Sequence, residues 1–337
     1  QRPLKIGFHL PSWISYFVSL SEVAHAFLKW RKSGKLEDLK NFTTQYEALP
    51  WKEQHEERKE SAILALCDSR PRGLVPGAGL ELAPGRVIPP VVLLGAADTQ
   101  GRYFKYAIRA FAYGPSEESW LVQCGTVTDF EDLAALFWKS VYYDASGKEY
   151  MVRKSIIDAM GNRTPSVYRF CIANRGRIVP FQGVQHLSAP FKPSPQESFM
   201  DEKGRQIVIP GGMVLYRGDI TYFKSDLAHK LQIKPDDPGA FHLHSNIDPD
   251  KPTVPLLEEY AREMCAEVWS EEANCWLNPH ERDNHFWDVE HMLLLLAYQL
   301  GIRNWKSDDS RPAQNAGPPA PRRGSRPAAD KLSRIRR

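Results

Sequence analysis

An uninterrupted apolar run, Val91-Val92-Leu93-Leu94-Gly95-Ala96-Ala97, ends in a carboxylate, Asp98. Such a run predicts a strand buried on both faces, deep inside a sheet. The turn Thr99-Gln100-Gly101-Arg102 follows it. Residues 103–113 then alternate, with Phe104, Tyr106, Ile108 and Ala110 on one side and Lys105 and Arg109 on the other, which predicts an antiparallel return strand. Ser119–Thr126 reads as a third strand, and Thr128 or Asp129 caps a helix running through Leu133, Leu136 and Phe137.

A short strand over Ser155–Asp158 comes next, then a helix opened by Thr164-Pro165, then a strand over Arg177–Phe181. Three hairpin-linked strands followed by helix, strand, helix and strand is the element order of an RNase H-like α/β fold, a mixed sheet flanked by helices. Upstream, Ser19 and Glu22 have capping-box spacing, and Val23, Ala26, Phe27 and Trp30 share one helical face that Gly34 ends. A second helical stripe holds Leu36, Leu39, Thr43 and Tyr46; residues 53–60 are a charged run and 68–90 a Pro/Gly-rich connection. Downstream, Ile207–Arg217 reads as a strand pair turning at Gly211-Gly212, Tyr222–Leu231 as a helix, Ala240–His244 as a short strand and Pro255–Val268 as a helix. The division expected is a connecting arm over 1–90, a core domain over 91–305 and a tail over 306–337 with no periodic apolar face, read as disordered.

Within that fold, Asp98 and Asp158 end neighbouring strands, and Asp288 opens the apolar segment Val289 to Leu300, a helix crossing the sheet. Carboxylates at the ends of buried elements are costly unless something positive meets them. Converging, they suit divalent cations that prefer oxygen ligands, and two such ions can drive in-line phosphodiester cleavage. A single aspartate at a strand end is more often a turn former or cap; three at fold-consistent places favour the metal site. Asp283 and Glu290 compete with Asp288, although Glu290 points about 200° from Asp288 on a helix. His285 is a candidate donor or general acid, or a capping residue. Lys224, Arg153 and Lys154 are candidate DNA contacts, weighed against solvated cations. Cys265, Cys275, His280 and His285 match no common structural zinc spacing, and His242 and His244 share one strand face.

The net charge of +3 is unevenly spread: residues 306–337 hold nine Lys/Arg and three Asp, so the tail carries +6 and the remainder −3. Any DNA grip is therefore a local patch, the tail, or another domain. No apolar run reaches the roughly 18–20 residues of a membrane span, no signal peptide stands at the start, and the five scattered cysteines read as reduced thiols. Gln1 in place of a start methionine reads as the edge of a processed or excised piece.

Several segments together resemble the C-terminal nuclease part of the large terminase subunit of tailed phages, in the lambda-like branch. They are Gly7-Phe8-His9-Leu10 with Trp13; Leu39 to Trp51; Gly95-Ala96-Ala97-Asp98-Thr99-Gln100; Ile157-Asp158-Ala159-Met160-Gly161 followed by Thr164 and Val167-Tyr168; Asp219 with Lys224; Pro238-Gly239-Ala240-Phe241-His242; and Asn284-His285-Phe286-Trp287-Asp288-Val289-Glu290. Ala97 stands where the family usually has valine, and the chain lacks the G-x-x-x-x-G-K-[ST] loop of the ATPase motor that precedes this part in the family.

The resemblance implies a metal-dependent endonuclease that cuts concatemeric double-stranded viral DNA during packaging. Asp98, Asp158 and Asp288 would hold two Mg²⁺ or Mn²⁺ ions, with Glu290 and His285 as accessory groups. It also implies portal protein and small terminase subunit as partners, no membrane, and work in the host cytoplasm. Two other readings stand beside it: a non-catalytic module docking on DNA or the portal, and another RNase H-like nuclease such as a junction resolvase.

Overall fold

Strand β1 (Val91–Thr99) lies at the middle of the fold, and every residue of it but the last is buried. The computed structural model describes residues 8–33, 36–51, 58–77, 88–161, 163–248 and 251–306. The pleat of β1 sends Val92, Leu94 and Ala96 into one hydrophobic cluster and Val91, Leu93 and Ala97 into another on the opposite face. Gly95 keeps the second face open: a Cβ there would sit 2.6 Å from the Phe137 ring.

Upstream of β1 are the helices α1 (Leu20–Ser33), α2 (Leu36–Asn41) and α3 (Glu60–Leu64). The expected cap forms, since Ser19 Oγ accepts from the Glu22 N–H at 3.1 Å. The expected apolar face of α1 is only half covered, Phe27 and Trp30 packing against Phe42. Segment 58–77, assigned by sequence to the connecting arm, contributes to the core: Ile63 and Leu66 enter the first cluster and Val75 the second. Gly34, most of the charged run and the tail beyond 306 lie outside the described residues.

β2 (Phe104–Ala112) returns antiparallel to β1, and β3 (Ser119–Val127) antiparallel to β2. After α4 (Phe130–Ala134), capped by Asp129 accepting from the Asp132 N–H, β4 (Val152–Asp158) joins the free side of β1 in parallel. After α5 (Thr164–Ala173), β5 (Ile178–Val184) adds parallel to β4. β6 (Phe191–Met200), β7 (Gln206–Asp219) and β8 (Phe241–His242) complete eight strands in the order β8-β3-β2-β1-β4-β5-β7-β6. Three antiparallel strands continued by helix-linked parallel ones give the RNase H-like mixed sheet. Residues of α4 and α5, among them Leu133 and Val167, cover one face. α6 (Ile220–Lys230), α7 (Glu258–Glu263) and α8 (His285–Leu300) cover the other. α8 touches β1, β2, β4, α6 and α7, which explains why it is apolar on nearly every side.

Two expectations change. Ile207–Arg217 is not a hairpin but part of β7, whose partner is β6 throughout, from Met200↔Gln206 to Phe191↔Gly218. Gly211 and Gly212, at φ 75 and 64, have the backbone of a tight turn, but they fall opposite a register shift between Gln196 and Ser198 and form a bulge. The helix expected over Pro255–Val268 shrinks to α7, and Val268–Ser270 pairs instead with Cys275–Leu277.

Candidate active site

The pairing of β1 with β4 sets two carboxylates side by side. Ala97 is level with Ile157, so the next residues are Asp98 and Asp158. Thr99 Oγ1 donates to the Asp158 carbonyl at 2.7 Å and ties the two strand ends together. Asp288 stands in the first turn of α8, which lies across β1 and β2; the partial positive charge of a helix start favours a carboxylate there.

The charge of Asp98 acts on both Asp158 and Asp288. Burial, aided by the charge of Asp98 and then Asp288, pushes Asp158 up to about 8, against the opposing N–H groups of Met160, at 3.2 Å, and Ala159. Burial also raises Asp288; Lys224 opposes the rise and Asp98 adds to it. Two carboxyls held in the neutral direction by burial and by the charge of Asp98 call for positive charge between them.

Cationic and polar partners already engage the carboxylate oxygens. Asp98 Oδ2 accepts from Gln100 Nε2 at 2.6 Å and lies 2.8 Å from His285 Nδ1. Burial lowers the His285 pKa, but the bond and charge of Asp98 outweigh it and the net shift is upward. Asp288 Oδ1 lies 2.8 Å from Lys224 Nζ, whose other contact is Glu267 at 2.6 Å. With these bonds in place, no group of three or more His, Cys, Asp or Glu side chains is drawn together as a metal cluster among the described residues. The donor chemistry still fits Mg²⁺ or Mn²⁺: carboxylate oxygens on adjoining elements, the kind of ligand these hard cations prefer.

Four sequence candidates take other places. Glu290, expected as an accessory group, is fully buried and paired with Arg109 at 2.8 Å, because its position on α8 turns it into the core. Lys224, expected at a DNA phosphate, is only 6% exposed and its ammonium is held by two carboxylates. Arg153 and Lys154 stand at the opposite end of β4 from Asp158, roughly 13–17 Å away along a strand rising about 3.3 Å per residue. Arg153 lies over Trp305, and Lys154 donates to Tyr216 Oη at 3.2 Å. The histidine pair has other partners: His242 Nε2 is 2.7 Å from Glu118, and His244 Nδ1 donates to the Ser245 carbonyl.

Gln100, Glu267 and Arg163 carry parts of the site that sequence reasoning missed. Gln100 was legible as a turn residue and as the end of a segment carrying the family resemblance, but not as a partner of Asp98, although its place two residues on lets it fold back on that carboxylate. Arg163 lies over Phe104 and Phe130 and reaches the Gln100 carbonyl at 3.5 Å. Nothing in the local pattern marks Glu267, which comes from a loop 21 residues before Asp288.

Comparison with known proteins gives one family: the model of the endonuclease domain of terminase large subunit gpA matches residues 5–308. No curated protein and no solved structure matches the chain.

Proposed function

The chain belongs to the family of the terminase large subunit gpA endonuclease domain, and from that premise we propose that it is the metal-dependent nuclease that cuts concatemeric double-stranded DNA during phage genome packaging. What supports the proposal is the register that sets Asp98 beside Asp158 at neighbouring strand ends, with Asp288 at the start of α8 near enough for its charge to act on Asp158, whose carboxyl burial and these two charges raise to about 8.

In this reading Asp98, Asp158 and Asp288 hold Mg²⁺ or Mn²⁺, which supplies Lewis acidity toward a phosphodiester and an activated water. The chain's own groups set the geometry. β1 and β4 fix two ligands rigidly, α8 fixes the third, and Gln100 and His285 orient the Asp98 carboxylate. His285 also stands where it can exchange a proton with a group bound at Asp98. Arg163 is the cation we assign to a DNA phosphate at the rim of the site. Portal protein and small terminase subunit as partners, and host cytoplasm as the place of action, belong to the same proposal.

The test is cleavage of supercoiled plasmid by the full chain with Mg²⁺, with Mn²⁺ and with a chelator. Nicking or linearisation only with a divalent ion supports the proposal. Absence of cutting with every ion rejects it for a docking role. Preference for cruciform over linear DNA moves the reading to a junction resolvase.

A further inference from the structure

Lys224 is a cation inside the candidate site. It projects from α6 and is 6% exposed. An ammonium so buried is retained only if paired, and it has two carboxylates, Glu267 at 2.6 Å and Asp288 at 2.8 Å. These two are not equivalent. Glu267 Oε1 also accepts from Asn284 Nδ2 at 2.6 Å, and its Oε2 from Trp287 Nε1 at 3.2 Å. Both donors precede Asp288 at the start of α8, so the two bonds tie Glu267 to that helix end. The Glu267 backbone carbonyl accepts from Arg58 Nη2 at 2.7 Å, and that guanidinium lies 3.9 Å from the centre of the Trp287 ring. Glu267 is thus fixed by neighbours on three sides, whereas the Asp288 side chain is 28% exposed and feels the charge of Asp98.

We propose that Lys224, anchored by Glu267, is a positioning residue for Asp288: it restrains one carboxylate oxygen so that the other is presented toward Asp98 and Asp158. Lys224 then acts through Asp288 and does not touch DNA. This rests on the nuclease reading of the site, but its first readout is metal binding alone. Outer partners that orient a ligating carboxylate commonly contribute 10–100-fold to metal affinity or activity.

The experiment compares the parent chain with Lys224→Met and with Glu267→Gln, which keeps the shape and removes the anchoring charge. Mn²⁺ binding is followed by electron paramagnetic resonance, plasmid cleavage by kcat and KM, and folding by thermal melting. The expected result is Mn²⁺ affinity weaker by roughly 10–100-fold for Lys224→Met, a smaller loss for Glu267→Gln, unchanged KM for DNA, and cleavage restored by excess Mn²⁺. Unchanged Mn²⁺ affinity with a raised, salt-sensitive KM would make Lys224 a phosphate contact and overturn the proposal. Unchanged affinity with only a lower melting temperature would overturn it as a structural pair. Should Lys224→Met fail to fold, Glu267→Gln decides by the same affinity criterion. If the parent binds Mn²⁺ and cuts no DNA, the nuclease reading fails, while the affinities still decide the role of Lys224.

Discussion

Glu290 stands two residues beyond Asp288 on one helix, yet its carboxylate faces the core, gripping Arg109 through Nε at 2.8 Å and Nη2 at 2.9 Å. Tyr260 donates to the same carboxylate at 2.7 Å, and the Arg109 guanidinium lies 3.5 Å from the centre of the Phe241 ring. Helical geometry separates the two acids, one toward the open edge of the sheet and one toward its buried face.

Glu290→Gln removes the counter-charge of a fully buried arginine and is expected to destabilise the fold by about 3–5 kcal/mol. A chemical denaturation midpoint checks this. Mn²⁺ affinity of the folded protein should not change. Lost affinity at parental stability would return Glu290 to the ligand set.

Asp98→Asn keeps the side-chain volume and removes the charge at the centre of the carboxylate group. Outer partners alone are worth 10–100-fold, so loss of a direct ligand should reduce plasmid cleavage by about 100-fold or more. The circular dichroism spectrum should be parental. Parental cutting rates would make Asp98 a strand-end residue with no part in chemistry.

The parts of the fold legible in the sequence are those where local pattern and burial coincide. β1 to β3 follow from an apolar run and an alternating return strand, and the α5 start from Thr164-Pro165. β6 was invisible because Phe191–Met200 holds two prolines and is mostly exposed or half-buried, as an edge strand can be. The glycine pair in β7 has turn chemistry, and only the register with β6 makes it a bulge. For the proposed site, Asp98, Asp158 and Asp288 stood out as candidates because each terminates or opens an apolar element. The ion pair of Lys224 was not, because its anchor Glu267 reaches it from a loop distant in sequence.

The basic tail supplies a prediction from charge alone. Residues 306–337 carry +6, and each phosphate neutralised on duplex DNA adds about 0.9 to the magnitude of the salt slope. Deleting the tail should flatten the salt dependence of DNA binding and leave cleavage at saturating DNA nearly unchanged. An unchanged slope would assign the tail to a protein partner.

Asp158 makes the metal-free protein sensitive to pH in a direction that can be worked out. Its carboxyl loses its proton near pH 3.9 in an unfolded chain, but burial and the charge of Asp98 raise it to about 8 in the fold. Between these values the folded state holds the extra proton, so stability falls as pH rises, and the loss is complete above about 8. His285 acts in the same sense: its raised pKa contributes stability that is full below about 6.5 and is lost as pH rises through its folded value. A divalent cation should reverse the trend, because it binds the folded, ionised carboxylates and stabilises by mass action. The melting temperature without metal is therefore expected to drop from pH 6 to pH 8. Added Mn²⁺ should raise it more at pH 8 than at pH 6, with protons released on binding. Asp158→Asn should flatten the metal-free slope and weaken the Mn²⁺ response. A parental slope in Asp158→Asn, or an equal Mn²⁺ response at both pH values, would separate Asp158 from the cation site.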